Sequence, residues 1–353
     1  MRKQMLTATV AAACLGLSIG AAGAEENTTS IGGKAYFDLT NIDQKNDGTK
    51  AASSGMGVDV KRFYMSVSHG FDDMWSANLT TDFNYVSGDS ETQVFVKKAY
   101  VQAKFSDAAV VRAGSADLPW VPFVEDLYHY RYVENTLIDR LKFGTSADWG
   151  VHFGGKVMDG MVSYAVSAVN GNGYKNPSRS KSVDLEGRVA VKPIKGVTVA
   201  ADVYTGKLGQ DTQGTSTANT ATRYDLLAAY EHAMFNVGFE YFNAENFYAA
   251  AITTGPKDKA DGYSLWGAVK PMEKVAVFAR YDYAKPRKDT NSSLKDTYYN
   301  AGVSYEARKN VDLALVYKHE KVDGGNISTS NGTIGGTSNG KFDEIGVWSQ
   351  VKF

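Results

Sequence analysis

Apolar and polar residues alternate along this chain from Gly32 to Phe353 in segments of about ten residues, broken by turn-forming residues. A period of two puts successive side chains on opposite faces of a strand, so each segment has one apolar and one polar face. The last segment, Ile345 to Phe353, is the clearest: Ile345, Val347, Val351 and Phe353 share one face, while Glu344, Gln350 and Lys352 share the other. In Val311 to Lys318 the same reading sets Val311, Leu313, Leu315 and Tyr317 against Asp312 and Lys318. Tilted strands of this length cross a bilayer. Hydrocarbon leaves no partner for an open sheet edge, so the sheet must close on itself. A soluble sheet would turn its polar face outward, but here the apolar face carries interface aromatics such as Tyr317.

The connectors alternate in length, as a barrel with short turns on one side of a membrane and long loops on the other requires. Short turns fall at His69 to Met74, Ser106 to Ala109, Met158 to Gly160, Pro193 to Gly196, His232 to Ala233, Pro271 to Glu273 and Ala307 to Asn310. Long polar stretches lie between them at Thr40 to Gly57, Leu118 to Thr145, Gly171 to Lys181, Gly206 to Ala221, Asn246 to Ala260, Lys285 to Lys295 and Val322 to Gly340, with a shorter one near Ser87 to Glu91. These breaks predict an all-β fold: one transmembrane antiparallel β-barrel of about sixteen strands over residues 25–353.

Residues 1–24 read as a secretory signal peptide, with a basic start at Arg2 and Lys3, an apolar stretch from Leu6 to Ile19, and the small-residue cleavage site Ala22-Gly23-Ala24. The only cysteine, Cys14, lies in that segment, so the exported chain would lack disulfides, thiolate metal sites and a cysteine nucleophile. With 38 basic and 39 acidic residues there is no global charge excess of the kind that binds nucleic acid. The five histidines are scattered, and no serine lies in a nucleophile motif, so neither an enzyme nor a cofactor is indicated.

Strand parity then lists the side chains that would line the lumen. The basic ones include Arg62, Lys98, Arg112, Arg188, Arg223, Arg280 and Lys318, nearly balanced by acids such as Asp82, Glu186, Asp282 and Glu320. The third long loop, Leu118 to Thr145, differs from the rest in being poor in glycine and rich in aromatics through Val121 to Tyr132. So much apolar surface is costly in water, and folding into the barrel would cover it and narrow the lumen. There it would place Arg131, Arg140 and Lys142, or Glu125, Asp126, Glu134 and Asp139, beside the permeation path. Glu134 to Leu141 predicts a short helical turn starting near Asn135 or Thr136.

The strand Val94-Phe95-Val96-Lys97-Lys98-Ala99-Tyr100-Val101-Gln102, the arginine-bearing Val111-Arg112-Ala113-Gly114, and the long third loop followed by Asp148-Trp149-Gly150-Val151-His152-Phe153 resemble the phosphate-selective porins O and P. The resemblance implies a homotrimeric bacterial outer-membrane channel, porin-like with its third loop folded inward. It implies phosphate attraction by Arg62, Lys98 and Arg112 on the lumen wall and by Arg131, Arg140 and Lys142 on the loop. The expected function is passive diffusion of small hydrophilic solutes or inorganic anions through a water-filled pore in the outer-membrane lipid. The alternative is a plugged structural or adhesive barrel whose loops bind a partner.

Overall fold

The computed structural model describes residues 27–85, 92–217, 219–253 and 255–353. The signal-peptide reading and the connector near Ser87 to Glu91 lie outside the described residues. Sixteen strands form the wall: β1 (Thr28–Asn46), β2 (Gly55–Gly70), β3 (Trp75–Tyr85), β4 (Thr92–Ser106), β5 (Ala109–Asp117), β6 (Ala147–Val157), β7 (Val162–Val169) and β8 (Asp184–Val191), then β9 (Val197–Gly206), β10 (Ala221–Glu231), β11 (Phe235–Glu245), β12 (Lys259–Met272), β13 (Val275–Lys285), β14 (Lys295–Arg308), β15 (Val311–Asp323) and β16 (Asn339–Lys352). Each pairs antiparallel with its successor, and β1 closes on β16 from Lys34↔Lys352 to Asn46↔Gly340. Gly33 and Phe353 complete the seam by exchanging both backbone hydrogen bonds at 2.8 and 3.1 Å. No backbone edge is therefore left facing hydrocarbon.

The faces sort as the alternation requires. Leu39, Leu79, Val101, Leu226, Leu265, Leu315 and Val347 stand exposed on the outside, while Asp38, Thr80, Gln102, Asp225, Ser264, Val316 and Trp348 are buried inside. All seven expected short turns are present within a few residues. The expected loop at Thr40 to Gly57 is shorter than the sequence indicated: β1 and β2 pair as far as Ile42↔Gly55, leaving residues 47–54 as the connector. Polar strands can extend beyond the membrane into water, and there polarity ceases to mark a strand end.

Of five register shifts among the described strands, three lie at turns and two fall within strands and break the parity there. On β2 the register jumps from Tyr36↔Arg62 to Phe37↔Val60, leaving Lys61 unpaired in the register. On β4 it jumps from Thr80↔Lys98 to Thr81↔Val96, leaving Lys97 unpaired. A bulge sets two consecutive residues against one partner and turns the strand locally. Lys61 and Arg62 thus both reach inward carboxylates, and Lys97 and Lys98 are both buried inside the barrel.

The long third connector holds two helices, α1 (Val121–Tyr128) and α2 (Leu137–Arg140). Pro122 suits the first turn of α1, where no intrahelical N–H bond is lost, and His129 ends it in the left-handed conformation at φ 66°. The sequence reading foresaw α2, starting after Thr136, but not α1. The last connector folds back as a short hairpin, Asn326–Thr329 against Gly332–Gly335.

Candidate functional site

The third loop crosses the lumen and is fixed to the β8–β16 wall by aromatic packing. Trp120, Val124, Tyr128, Leu137 and Ile138 are buried with Phe242, Trp266, Phe278 and Trp348 of the wall. Tyr130 stacks on Phe278 with ring centroids 3.9 Å apart, and Tyr128 meets Trp266 edge-on at 5.9 Å. The apolar content that marked this loop in the sequence is thereby removed from water.

Polar anchors set its register. Trp120 donates its indole N–H to Glu240 at 2.8 Å and its backbone N–H to Glu186 at 3.1 Å. Three wall arginines donate to loop carbonyls: Arg188 to Pro119 at 2.9 Å, Arg223 to Phe143 at 2.6 Å and Arg280 to Asn135 at 2.5 Å. In the other direction, Arg140 reaches from α2 to Asp282, Asp296 and Glu320 at 3.1, 2.5 and 2.7 Å. Lys318 bridges Glu134 of the loop and Glu344 of β16 at 3.5 and 3.1 Å. Burial alone would raise the Glu134 carboxyl, but Lys318, the Ser330 hydroxyl and Arg140 hold it down at about 2. The final hairpin seals this side from above: Ser330 donates its N–H to the Arg140 carbonyl at 2.9 Å and its hydroxyl to Glu134 at 2.7 Å. Asp47 fastens the hairpin stem by accepting N–H bonds from Thr337, Ser338 and Asn339 at 2.7 to 2.9 Å.

The opposite face of the loop looks toward β1–β4 across what is left of the lumen, the eyelet. Arg131 binds Glu125 at 2.6 Å and lies 3.6 Å from Asp139, beside Tyr36 and Tyr64 of the wall. Burial pushes the Asp126 carboxyl up to about 6, against the pull of Lys34 and Lys98 from the wall. The wall brings Lys61 to 3.2 Å from Asp38, Arg62 to 3.7 Å from Asp82 and Lys98 to 2.6 Å from Asp117. Lys97 forms no ion pair among the described residues; its ammonium donates to the Tyr64 hydroxyl at 3.3 Å and lies 4.4 Å from that ring's centre.

Of the residues singled out by sequence, Arg62, Lys98, Arg131, Glu125 and Asp126 meet at this eyelet. Arg112 faces the lumen from β5, held by Gln102 at 2.8 Å. The expectation that Arg140 and Arg280 lie beside the permeation path is corrected: both are sealed between loop and wall, Arg140 at 0% exposure and Arg280 at 3%. The reason is the carboxylate cluster on β13–β15, which gives a buried guanidinium more partners than an open lumen would. Lys142 is also displaced from the eyelet; its backbone turns to φ 61° and its ammonium is given to Ser328 of the last hairpin at 2.6 Å. Sequence parity missed Lys34, Lys61 and Lys97. A signal was present for the last two, because Lys61-Arg62 and Lys97-Lys98 would otherwise each place one charge in lipid, at about 2–4 kcal/mol near the bilayer midplane.

A profile of the Gram-negative porin family matches residues 7–325. No curated protein sequence matches the chain. Solved structures with a similar fold include an anion-selective porin from Comamonas acidovorans, with TM-score 0.68 and 11% identity over 93% of this chain and 100% of that one. The outer-membrane channel DcaP of Acinetobacter baumannii superposes with TM-score 0.65 and 13% identity over 94% of this chain and 100% of that one. The trimer form of OmpT from Vibrio cholerae gives TM-score 0.62 and 12% identity over 93% and 100%. With a closed sixteen-stranded barrel and a family match over most of its length, this chain belongs to the Gram-negative porin family and is a channel of the bacterial outer membrane.

Proposed function

We propose that this channel favours small inorganic anions over cations. The carrying observation is the pair of bulges, which add Lys61 and Lys97 to the inward charges of β1–β5. On that wall Lys34, Lys61, Arg62, Lys97, Lys98 and Arg112 outnumber Asp38, Asp59, Asp82 and Asp117. The loop side of the passage sets Glu125, Asp126 and Asp139 against Arg131, so the field that attracts anions belongs to the β1–β5 wall, where the cationic surplus lies. The similar porin from Comamonas acidovorans is described as anion-selective, which supports the reading, and the resemblance to phosphate-selective porins makes inorganic phosphate the first oxyanion to try. Reversal potentials in a planar bilayer under a potassium chloride gradient should have the sign of chloride preference, and phosphate should reduce the chloride current. A potassium preference would sink the reading, and folded protein that passes no current would favour the plugged barrel.

Catalysis has no part in this reading. His152 meets the Ser167 hydroxyl at 2.8 Å, but its other ring nitrogen faces the Gly114 carbonyl at 3.4 Å instead of a carboxylate that would orient a hydrolytic base. The signal-peptide reading, with removal after Ala24, rests on its three-part pattern.

A homotrimer is the second part of the proposal, supported by an asymmetry of the outer surface. The exposed tyrosines Tyr224, Tyr263, Tyr281, Tyr299, Tyr305 and Tyr317 lie on β10–β15, whereas the large exposed apolar residues described on β1–β6 include no tyrosine and one tryptophan, Trp75, at the turn end of β3. Tyrosine belts mark surfaces that meet the lipid interface, so their absence from one side fits protein contact there. Sedimentation of the detergent-solubilised protein should return three chains, and Val58→Arg with Leu79→Arg should release monomers. A monomer for the unaltered protein would remove this part.

A further inference from the structure

One group of lumen residues lies on the extracellular side of the eyelet. Immediately beyond its bulge, β4 turns Phe95 inward, opposite Asp82. Phe95 stacks on Tyr174 from the β7–β8 connector, with ring centroids 6.0 Å apart and planes inclined by 25°. Tyr174 is fixed at both backbone groups: its N–H donates to the Ala147 carbonyl at 3.1 Å, and its carbonyl accepts the Trp149 indole N–H at 3.0 Å. The ammonium of Lys175 lies 4.7 Å from the Phe95 ring centre, and that of Lys97 lies 5.8 Å from the centre of Tyr174. Neither lysine is paired with a carboxylate among the described residues. Partial burial depresses the Lys175 ammonium below its usual value, repulsion from Arg62 and Lys97 adds to this, and Asp82 and Asp139 oppose it without reversing it. Cations held close against their mutual repulsion gain from an anion between them.

A simple ion would need only the ammonium groups. The stacked rings add a rigid apolar platform beside them, which suits a flat π face better than a hydrated sphere. We propose that Lys97, Lys175, Phe95 and Tyr174 form a subsite for aryl carboxylates, with the carboxylate between the two ammonium groups and the ring laid along Phe95 and Tyr174. This rests on the anion-preferring reading above and names a solute class for the same pore.

The test is block of single-channel chloride current by benzoate, compared with cyclohexanecarboxylate, which has the same charge and a similar size but no π face. Benzoate should block at a concentration lower by about threefold or more. Phe95→Leu should abolish the difference between the two acids, and Lys97→Gln with Lys175→Gln should weaken block by both. Equal block in the unaltered protein, or a difference that survives Phe95→Leu, would overturn the subsite. A chloride-preferring channel without benzoate preference removes only the subsite, whereas a potassium-preferring channel that still prefers benzoate removes only the general anion reading.

Discussion

Replacing Arg140 with methionine should lower the unfolding free energy of the detergent-folded barrel by about 3–5 kcal/mol, because it leaves buried carboxylates without their counter-charge. Arg140 is fully buried and contacts Asp282, Asp296 and Glu320, which are themselves fully buried. Its guanidinium also lies 4.5 Å from the centre of the Tyr298 ring. Once it is gone, Arg280 still serves Asp282 at 2.6 Å, but Asp296 loses its cation and Glu320 keeps only neutral donors such as Asn331. Denaturant titration followed by tryptophan fluorescence would measure the loss. Adding Asp296→Asn and Glu320→Gln to Arg140→Met should recover much of it, since removing both members of a buried pair costs far less than removing one. A single substitution costing under about 1 kcal/mol would mean that these carboxylates are hydrated and the loop is not sealed against the wall.

The same region marks how far the sequence could be read. The barrel was legible because strand period and connector length are local properties, and the seam residues Ile345 to Phe353 carry them plainly. That the third loop folds inward was legible from its aromatic content, since Trp120, Tyr128 and Tyr130 need cover that a surface loop lacks. Which loop residues face water was not. Arg131 and Arg140 are nine positions apart in one loop, yet one stands at the eyelet and the other inside the seal, because Asp282, Asp296 and Glu320 come from strands far along the chain. Helix α1 escaped although Val121, Val124, Leu127 and Tyr128 recur at helical spacing, because eight residues are too few to form a stable helix alone and packing against the wall stabilises it. Parity reading failed where the register shifts, because a bulge depends on two strands and parity was read on one.

Neutralising Lys97 should reduce anion preference about as much as neutralising Lys98, although among the described residues only Lys98 is paired with a carboxylate. Lys98 gives its charge to Asp117 at 2.6 Å, so its loss leaves that carboxylate uncompensated and subtracts one charge from the local field. Lys97 meets no carboxylate among the described residues, so its loss likewise subtracts one charge from the same wall. Replacing both by glutamate should invert the selectivity, because two cations become two anions beside Arg62 and Arg131 at the eyelet. Reversal potentials of Lys97→Gln, Lys98→Gln and the double glutamate variant, at matched gradients, would measure these effects. The changes should be large near 0.1 M salt, where the screening length is about 10 Å, and small near 1 M, where it is about 3 Å. An unbulged strand predicts the reverse for Lys97. Its side chain would then lie in lipid, so Lys97→Gln would leave selectivity unchanged and stabilise the barrel by removing a charge from hydrocarbon. Selectivity and unfolding measured on the same variant therefore decide between the two geometries: a fall in anion preference without a gain in stability places Lys97 in the lumen.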